Sequence, residues 1–554
     1  GKLYSSVAQT AELGRSLGAF MGRLSRALLG FGHPAAHRPG FLWGLDDALA
    51  VKPWLADIVK PENRALTERI FARYEARVLP RLPHLRAGVV HQDANDNNIL
   101  VDDVGTCVTG LVDFGDACFG RLVNELATTL AYALLDKDDL YAHARPLIDA
   151  YARELPLLPE EAEVLFDLVA ARLAVSVCVS SHRAKKFPDN DYLLVSQAPA
   201  FRLLDRLDKT NPQFLAAVAR EAAGLPPVAA HEVIVGWLRD HVPDRAPLLD
   251  YDLDTAPRML LRLEDGAPGM EHAGDQKAFG DWLAARMAEG GARYAIGLWG
   301  ENRTVYKGDQ FRTPASPEWR SQHLGLDLFV PAGTPVLAPL AGTVLSVADN
   351  ALPYDYGPTV LLEHEAGSGG PKFWTLYGHL SKETLAMVRP GQAVTAGERI
   401  GSIGAAEVNG GWLPHLHFQI ITDRLGLSGE FPGVGQPSLW PVWSRIAPDP
   451  NLILKLAPES FIEDKTPPQA LLERRRNVLG PSLSISYAKK LKIVRGRGAY
   501  LYDHTGRGFL DCVNNICHVG HAHPHVVAAL SRQAEILNTN TRYLHDNILD
   551  YAER

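Results

Sequence analysis

The sequence predicts a multidomain chain: an α-rich lobe, then a β-rich sandwich, then the opening of an α/β fold. Three observations predict it. A length of 554 residues exceeds what one hydrophobic core organises and leaves room for about three to four domains. Apolar residues early in the chain recur at helical spacing, whereas 328–344 alternates short apolar runs with Gly/Pro turns. From Tyr500 onward a strand, a tight turn and a second strand precede a helical stretch that begins at Val526.

Composition narrows the function classes. Hydrophobic residues make up 46% and charged residues 22%, as in ordinary globular protein. A net charge of −8 gives no nucleic-acid footprint and no polybasic membrane patch, so neither partner is expected. The five cysteines (Cys107, Cys118, Cys178, Cys512, Cys517) contain no CxxC. That pattern predicts a reducing, cytoplasmic setting and disfavours thiolate zinc ligands. No run of about 18 uninterrupted apolar residues occurs, so no membrane span is expected. Gly1 is not an initiator Met and Arg554 stops within a helical pattern, so both ends read as cut.

Residues 1–213 open with a helix over 8–30, carried by Leu13, Leu17, Phe20, Leu24 and Leu28 and ended by Gly30. The chemistry lies in His91-Gln92-Asp93-Ala94-Asn95-Asp96-Asn97-Asn98, followed after a strand, a turn and a strand by Asp113-Phe114-Gly115. Phosphoryl transfer needs a carboxylate for the attacking hydroxyl and oxygen ligands for Mg²⁺. Asp93 fits the first role, Asn98 and Asp113 the second with Mg-ATP, and His91 would brace the loop. The stretch resembles the aminoglycoside-phosphotransferase and choline-kinase superfamily, most closely its hydroxylysine-kinase-like branch, over residues 8–205. Asn124-Glu125-Leu126-Ala127 stands where many relatives have an Asp before Leu-Ala. The resemblance implies a kinase C-lobe. The glycine-rich strands and ATP-binding Lys that ordinarily precede it are missing, so the chain alone is not expected to bind ATP well.

Residues 214–292 read as a helical connector: two helices around Pro226-Pro227, repeated prolines, then a helical period over 277–288. No chemistry is visible there, and a spacer role is expected.

Residues 293–450 hold His323-Leu324-Gly325-Leu326-Asp327, Tyr377-Gly378-His379-Leu380 and Pro414-His415-Leu416-His417-Phe418. With 20 His in 554 residues, about 0.7 His-x-His pairs arise by chance, so a lone pair means little. On extended strands, however, His323 with Asp327 and His415 with His417 each project to one side. Four imidazoles and a carboxylate could then converge as a catalytic Zn²⁺ site with an open position. The region from Arg303 to Ile421 resembles the lysostaphin-type (LytM) zinc metallopeptidases. That resemblance implies a β-rich sandwich, zinc ligation by His323, Asp327 and His417, and catalytic roles for His379 and His415 on water and oxyanion. The aromatic run 373–377 is read as groove or core.

After a linker at 451–464, residues 465–554 contain Gly520-His521-Ala522-His523-Pro524 and Asn514-Asn515. The His-rich run invites a metal reading. It resembles instead the loop entering a helix in class III aminotransferases, and specifically the ethanolamine-phosphate and phosphohydroxylysine phospho-lyases. That implies pyridoxal phosphate in the complete protein, an α/β type I fold, a homodimer, and Asn540, Arg542 and Tyr543 as substrate-pocket candidates. The Schiff-base Lys would lie beyond Arg554.

The combination predicts part of a multifunctional enzyme that phosphorylates a small amino alcohol or amine with ATP and then applies lyase or aminotransferase chemistry, with a zinc hydrolase between. The alternatives are a zinc metallopeptidase as the main activity, or a transaminase in place of a lyase.

Overall fold

Helix α1 (Ala11–Leu28) starts where Thr10 accepts a hydrogen bond from the Leu13 amide at 3.2 Å and carries Glu12 in its first turn and Arg26 in its last. The structure, a computed structural model, describes all residues except 190–195, 241–244, 254, 304, 307, 462–467, 481–482, 484, 486–490, 504–507, 513–517, 538–543 and 554. Leu13, Leu17 and Met21 of α1 are fully buried, as the helical spacing predicts.

The lobe continues with α2 (Pro61–Arg77), α3 (Val123–Ala133), α4 (Leu140–Glu154), α5 (Pro159–Lys186), α6 (Gln197–Asp208) and α7 (Pro212–Ala222). A Cβ at Gly18 of α1 would lie 2.1 Å from the Leu147 carbonyl oxygen of α4. Only glycine allows that helix crossing. Helix α5 is long and apolar enough to cross a membrane, yet 83% of its most apolar window is buried inside the protein. Its hydropathy belongs to a core position. Beside the helices lie β1 (Lys2–Leu3), β2 (Ala87–Val90), β3 (Ile99–Val101), β4 (Val108–Leu111) and β5 (Cys118–Arg121), paired β1-β3-β4 and β2-β5.

The connector forms α8 (His231–Asp240), β6 (Arg258–Leu261), α9 (Gln276–Gly290) and β7 (Tyr294–Gly297). Next come β8 (Gln322–His323), β9 (Leu326–Phe329), β10 (Pro335–Leu337), β11 (Gly342–Asn350), β12 (Gly357–Glu365) and β13 (Lys372–Gly378). β14 (Ala393–Val394), β15 (Arg399–Ser402), β16 (His415–Ile421) and β17 (Val434–Gly435) complete this β-rich part. The main antiparallel sheet runs β14-β11-β12-β13-β16-β9, with β10-β15 and β17-β8 as separate pairs. Phe373 and Tyr377 of β13 are fully buried, so the aromatic run serves the core.

The described residues divide into two compact units. One contains Gly1–Asp252, Arg262–Ala284 and Gly297–Leu454; the other contains Leu253–Leu261, Ala285–Ile296 and Lys455–Arg554. This partition cuts across the expected limits at 213 and 292, for a physical reason. In the first unit a single apolar core runs from the helical lobe into the β-rich part, and Phe214 of α7 stacks on Trp443 with ring centroids 4.4 Å apart. Leu140 donates its amide to the Ala315 carbonyl at 2.9 Å, and Ser316 Oγ donates to Asp139 Oδ2 at 2.7 Å.

In the second unit, strands Ile493–Arg497, Tyr500–Asp503 and Gly508–Leu510 form an antiparallel meander, followed by helix Pro524–Ile536. The two paired strands and the helix match the expectation, and the expected turn between the strands lies at 504–507, outside the described residues; the strand at 493–497 adds to it. His521 hydrogen-bonds Asp511 at 2.8 Å. Asn514, Asn515, Asn540, Arg542 and Tyr543 lie outside the described residues.

Candidate metal centre and kinase-like loop

His323 and Asp327 do not share one extended strand, as their spacing suggested. His323 ends β8, which pairs with β17, and Asp327 lies in β9, which pairs with β16. The bend between them passes through Gly325, where a Cβ would stand 2.4 Å from His417 Cε1. Removing that side chain lets the three groups close on one another. Across the sheet, His417 is in register with both Asp327 and Gly378.

His323 Nε2 lies 3.0 Å from His417 Nδ1 and 3.3 Å from Asp327 Oδ1, and His417 Nδ1 lies 3.1 Å from the same oxygen. All three residues are buried. Hydrogen bonds at the far side of each ring fix the tautomers. His323 Nδ1 donates to the Leu298 carbonyl at 2.8 Å, and His417 Nε2 donates to Gln419 Oε1 at 2.9 Å. Gln419 is itself oriented by donating Nε2 to the Pro432 carbonyl at 3.2 Å. Both inward-facing nitrogens are therefore lone pairs, and they meet a carboxylate oxygen. Three buried acceptors in mutual contact repel unless a cation sits among them. Among the described residues this is the one group with metal-binding spacing, its ligand atoms within 4.8 Å of one another.

The protonation states agree with such a use. Burial, reinforced by the Arg303 guanidinium, lowers His323 to about 4. Burial opposes ionisation of Asp327, but His323 and Arg303 outweigh it and hold the carboxyl well below its usual range. Two neutral imidazoles and a carboxylate, with no thiolate, suit a catalytic zinc that keeps a position open.

His379 and His415 flank the trio. His379 Nδ1 donates to the Asn409 carbonyl at 2.9 Å and His415 Nδ1 to the Leu413 carbonyl at 2.6 Å, which leaves each Nε2 as a base. Their ring centroids are 4.2 Å apart, and His415 Nε2 lies 4.0 Å from Asp327 Oδ1. Burial holds both imidazoles below their usual range. His379 adopts φ 63°, a left-handed conformation costly for a side chain and typical of functional loops.

Further residues complete the site without a local sequence signal. Arg303 Nη1 donates to Asp327 Oδ2 at 2.6 Å, and its Nε donates to Glu301 Oε2 at 2.9 Å. Tyr356 lies beside the trio, its ring tilted at 58° and 5.1 Å from that of His417; its buried hydroxyl has no hydrogen-bond partner among the described residues. Burial pushes that phenol well above its ordinary value, so it stays a donor. Arg303 and Tyr356, with the trio, His379 and His415, line a cavity of about 650 Å³. Leu263, Met270 and Phe279 from the connector line it too, which corrects the expectation of a plain spacer.

The kinase-like loop is assembled separately. Asp93 Oδ2 accepts from Asn98 Nδ2 at 2.8 Å and from Asn95 Nδ2 at 3.0 Å. Its Oδ1 accepts from Arg172 Nη2 of α5 at 3.0 Å. Burial raises the Asp93 carboxyl, and Arg172 opposes the shift. His91 donates its backbone amide to buried Glu125, and its Nε2 hydrogen-bonds the Val112 carbonyl at 3.1 Å. Glu125 is thus a brace for the loop, in place of the Asp of many relatives. Asp113, at φ 61°, instead accepts from the Gly115 amide at 3.2 Å.

The comparisons fall in three parts. The model of the phosphotransferase enzyme family matches residues 1–164, and that of peptidase family M23 matches residues 321–427. Hydroxylysine kinase of Mus musculus is 26% identical over 218 residues, covering 37% of this chain and 58% of that protein. An alanine–glyoxylate aminotransferase 2-like protein of Drosophila melanogaster is 43% identical over 82 residues, 15% of this chain and 17% of that protein. Ethanolamine-phosphate phospho-lyase homolog 1 of Caenorhabditis elegans is 37% identical over 87 residues, 16% of this chain and 19% of that protein. Among solved structures, the catalytic domain of lysostaphin from Staphylococcus simulans is 28% identical, with TM-score 0.16, covering 22% of this chain and 80% of that one. The chain spans less than two thirds of the length of each of these three relatives. The chain therefore joins a kinase-like lobe, an M23-like segment and a stretch similar to aminotransferases and phospho-lyases.

Proposed function

We propose that this chain is part of a multifunctional enzyme and that its M23-like segment is a zinc-dependent amide hydrolase. The convergence of three buried acceptor atoms from His323, Asp327 and His417 carries the reading. A zinc ion held there would supply Lewis-acid chemistry, polarising an amide carbonyl and acidifying water. The protein's own residues do the rest. His379 or His415 takes a proton from the attacking water at Nε2 and returns it to the leaving nitrogen. Tyr356 offers its buried hydroxyl to the oxyanion that develops on the carbonyl oxygen. Leu298, Asn409, Leu413 and Gln419 keep the four rings in the tautomers this needs. Metal analysis tests the reading: about one zinc per chain is expected for the wild type and none for His323→Ala. A metal-free wild type that stays folded refutes it.

The kinase-like lobe and the phospho-lyase similarity support a second part. In this reading Asp93 orients a substrate hydroxyl, and Asn98 and Asp113 hold Mg-ATP. The product, an O-phosphorylated amino alcohol, passes to a pyridoxal-phosphate lyase or transaminase in the complete, cytoplasmic and dimeric protein. The Asp93–Asn98 hydrogen bond favours this assignment. Phosphorylation of no member of an amino-alcohol panel by the complete protein with ATP would sink it.

A further inference from the structure

We propose that the cleft before His323, Asp327 and His417 takes short peptides or amides that carry a protonated amine beside the scissile bond, and that it excludes long polymers. The proposal rests on the hydrolase reading and adds its substrate class.

Size is the first argument. The cavity of about 650 Å³ falls in the range that encloses a small ligand. The connector makes part of its wall. Phe279 of α9 lines it, and Gly280 of the same helix is so close to the 405–414 loop that a Cβ there would meet Leu413 Cδ2 at 3.0 Å. That loop leads directly into His415. An extended polymer would have to pass this wall to reach the metal trio, whereas a peptide of a few residues fits within it.

Charge is the second argument. Outside the trio, the titratable side chains that line the cavity are His379 and His415, Asp265, Asp355, Glu430, Arg303 and Arg320, with Tyr306, Tyr354 and Tyr356. The Arg303 charge is taken up by Glu301 and Asp327. Arg320 donates to the Gln310 carbonyl, and Asp355 and Glu430 act on it electrostatically. Among the described residues, no ion pair within 4.0 Å engages Asp265, Asp355, Glu430 or Arg320, so three carboxylates face one guanidinium. Asp265 and Glu430 are exposed and Asp355 is half-buried, so the negative charge rims the mouth of the cleft, where a substrate ammonium would meet it. A zinc ion held by the trio would polarise the carbonyl, and the acidic lining takes the amine. In the hydrolysis the amide C–N bond breaks, the water oxygen bonds to the carbonyl carbon, and a water proton goes to the leaving nitrogen.

The test uses the zinc-reconstituted full chain and tetrapeptides that differ at one position, lysine against norleucine. A long unstructured peptide embedding the lysine tetrapeptide is the third substrate. The expected kcat/KM is about tenfold higher for lysine than for norleucine, E430Q narrows that ratio, and the embedded sequence is cut poorly. Calorimetry on the chelator-treated chain reads the same amine preference without metal. Equal cleavage of the lysine and norleucine peptides, or efficient cleavage of the embedded one, overturns the proposal and leaves the hydrolase reading standing. Amine-selective binding with no cleavage of any peptide sinks the hydrolase reading instead.

Discussion

Arg303 donates from Nη1 to Asp327 Oδ2 at 2.6 Å, through the carboxylate oxygen that His323 and His417 do not use. Both Arg303 and Glu301, its other partner, are almost completely buried. Arg303→Met would remove the guanidinium that two buried carboxylates share, although Arg262 stays 3.4 Å from Glu301, at a cost of about 3–5 kcal/mol. The expected outcome is a clear drop in the denaturant midpoint of the zinc-free protein, which separates this effect from loss of metal. Arg303→Lys should recover part of it, since an ammonium restores charge without the two-sided fork.

Gln419 acts through His417. By accepting from Nε2 it presents Nδ1 to the trio. Gln419→Leu should lower zinc affinity by about 10–100-fold, read by competition against a chelator, with little change in the melting temperature of the zinc-free chain. An unchanged affinity would mean that the tautomer is set elsewhere.

Glu125 makes the helical lobe sensitive to pH. Burial pushes its carboxyl up to about 7 from 4.5, although the amides of His91 and Gln92 pull it down. The folded chain thus binds a proton between those values that the unfolded chain releases. Its contribution is fully present below 4.5 and is lost as pH rises through 7, by about 3 kcal/mol at most. Unfolding midpoints measured from pH 5 to 8 should decline with pH, and Glu125→Gln should flatten the slope.

Gly18→Ala tests the helix crossing. The added methyl would strike the Leu147 carbonyl, and separating α1 from α4 should cost about 1–3 kcal/mol. Thermal melting should show it, while Gly236→Ala, at an open position on α8, should be neutral or stabilising.

The trio and its two flanking histidines were legible because strand pairing preserves what spacing implies: His415 and His417 alternate on one strand. The same alternation continues to Gln419, so the orienting residue carries the same signal. Arg303, Tyr356 and Arg172 had none. Arg172 reaches Asp93 across 79 residues, and only packing of α5 beneath the loop brings them together. The connector misled for a different reason: proline breaks mark a change of direction, not the absence of a function. The bend at Gly325 shows that an i, i+4 pair can converge from two strands as well as from one.

The stacking of Phe214 on Trp443, within an apolar interior shared by the helical lobe and the β-rich part, has a bearing on inheritance. Chains assembled from separable modules can lose one and keep the other. Here, deleting either part would leave its neighbour with a large wetted apolar wall, prone to aggregate. The union therefore works as a ratchet: with the interior as common property, neither the kinase-like nor the peptidase-like part can be cut away without wetting the other.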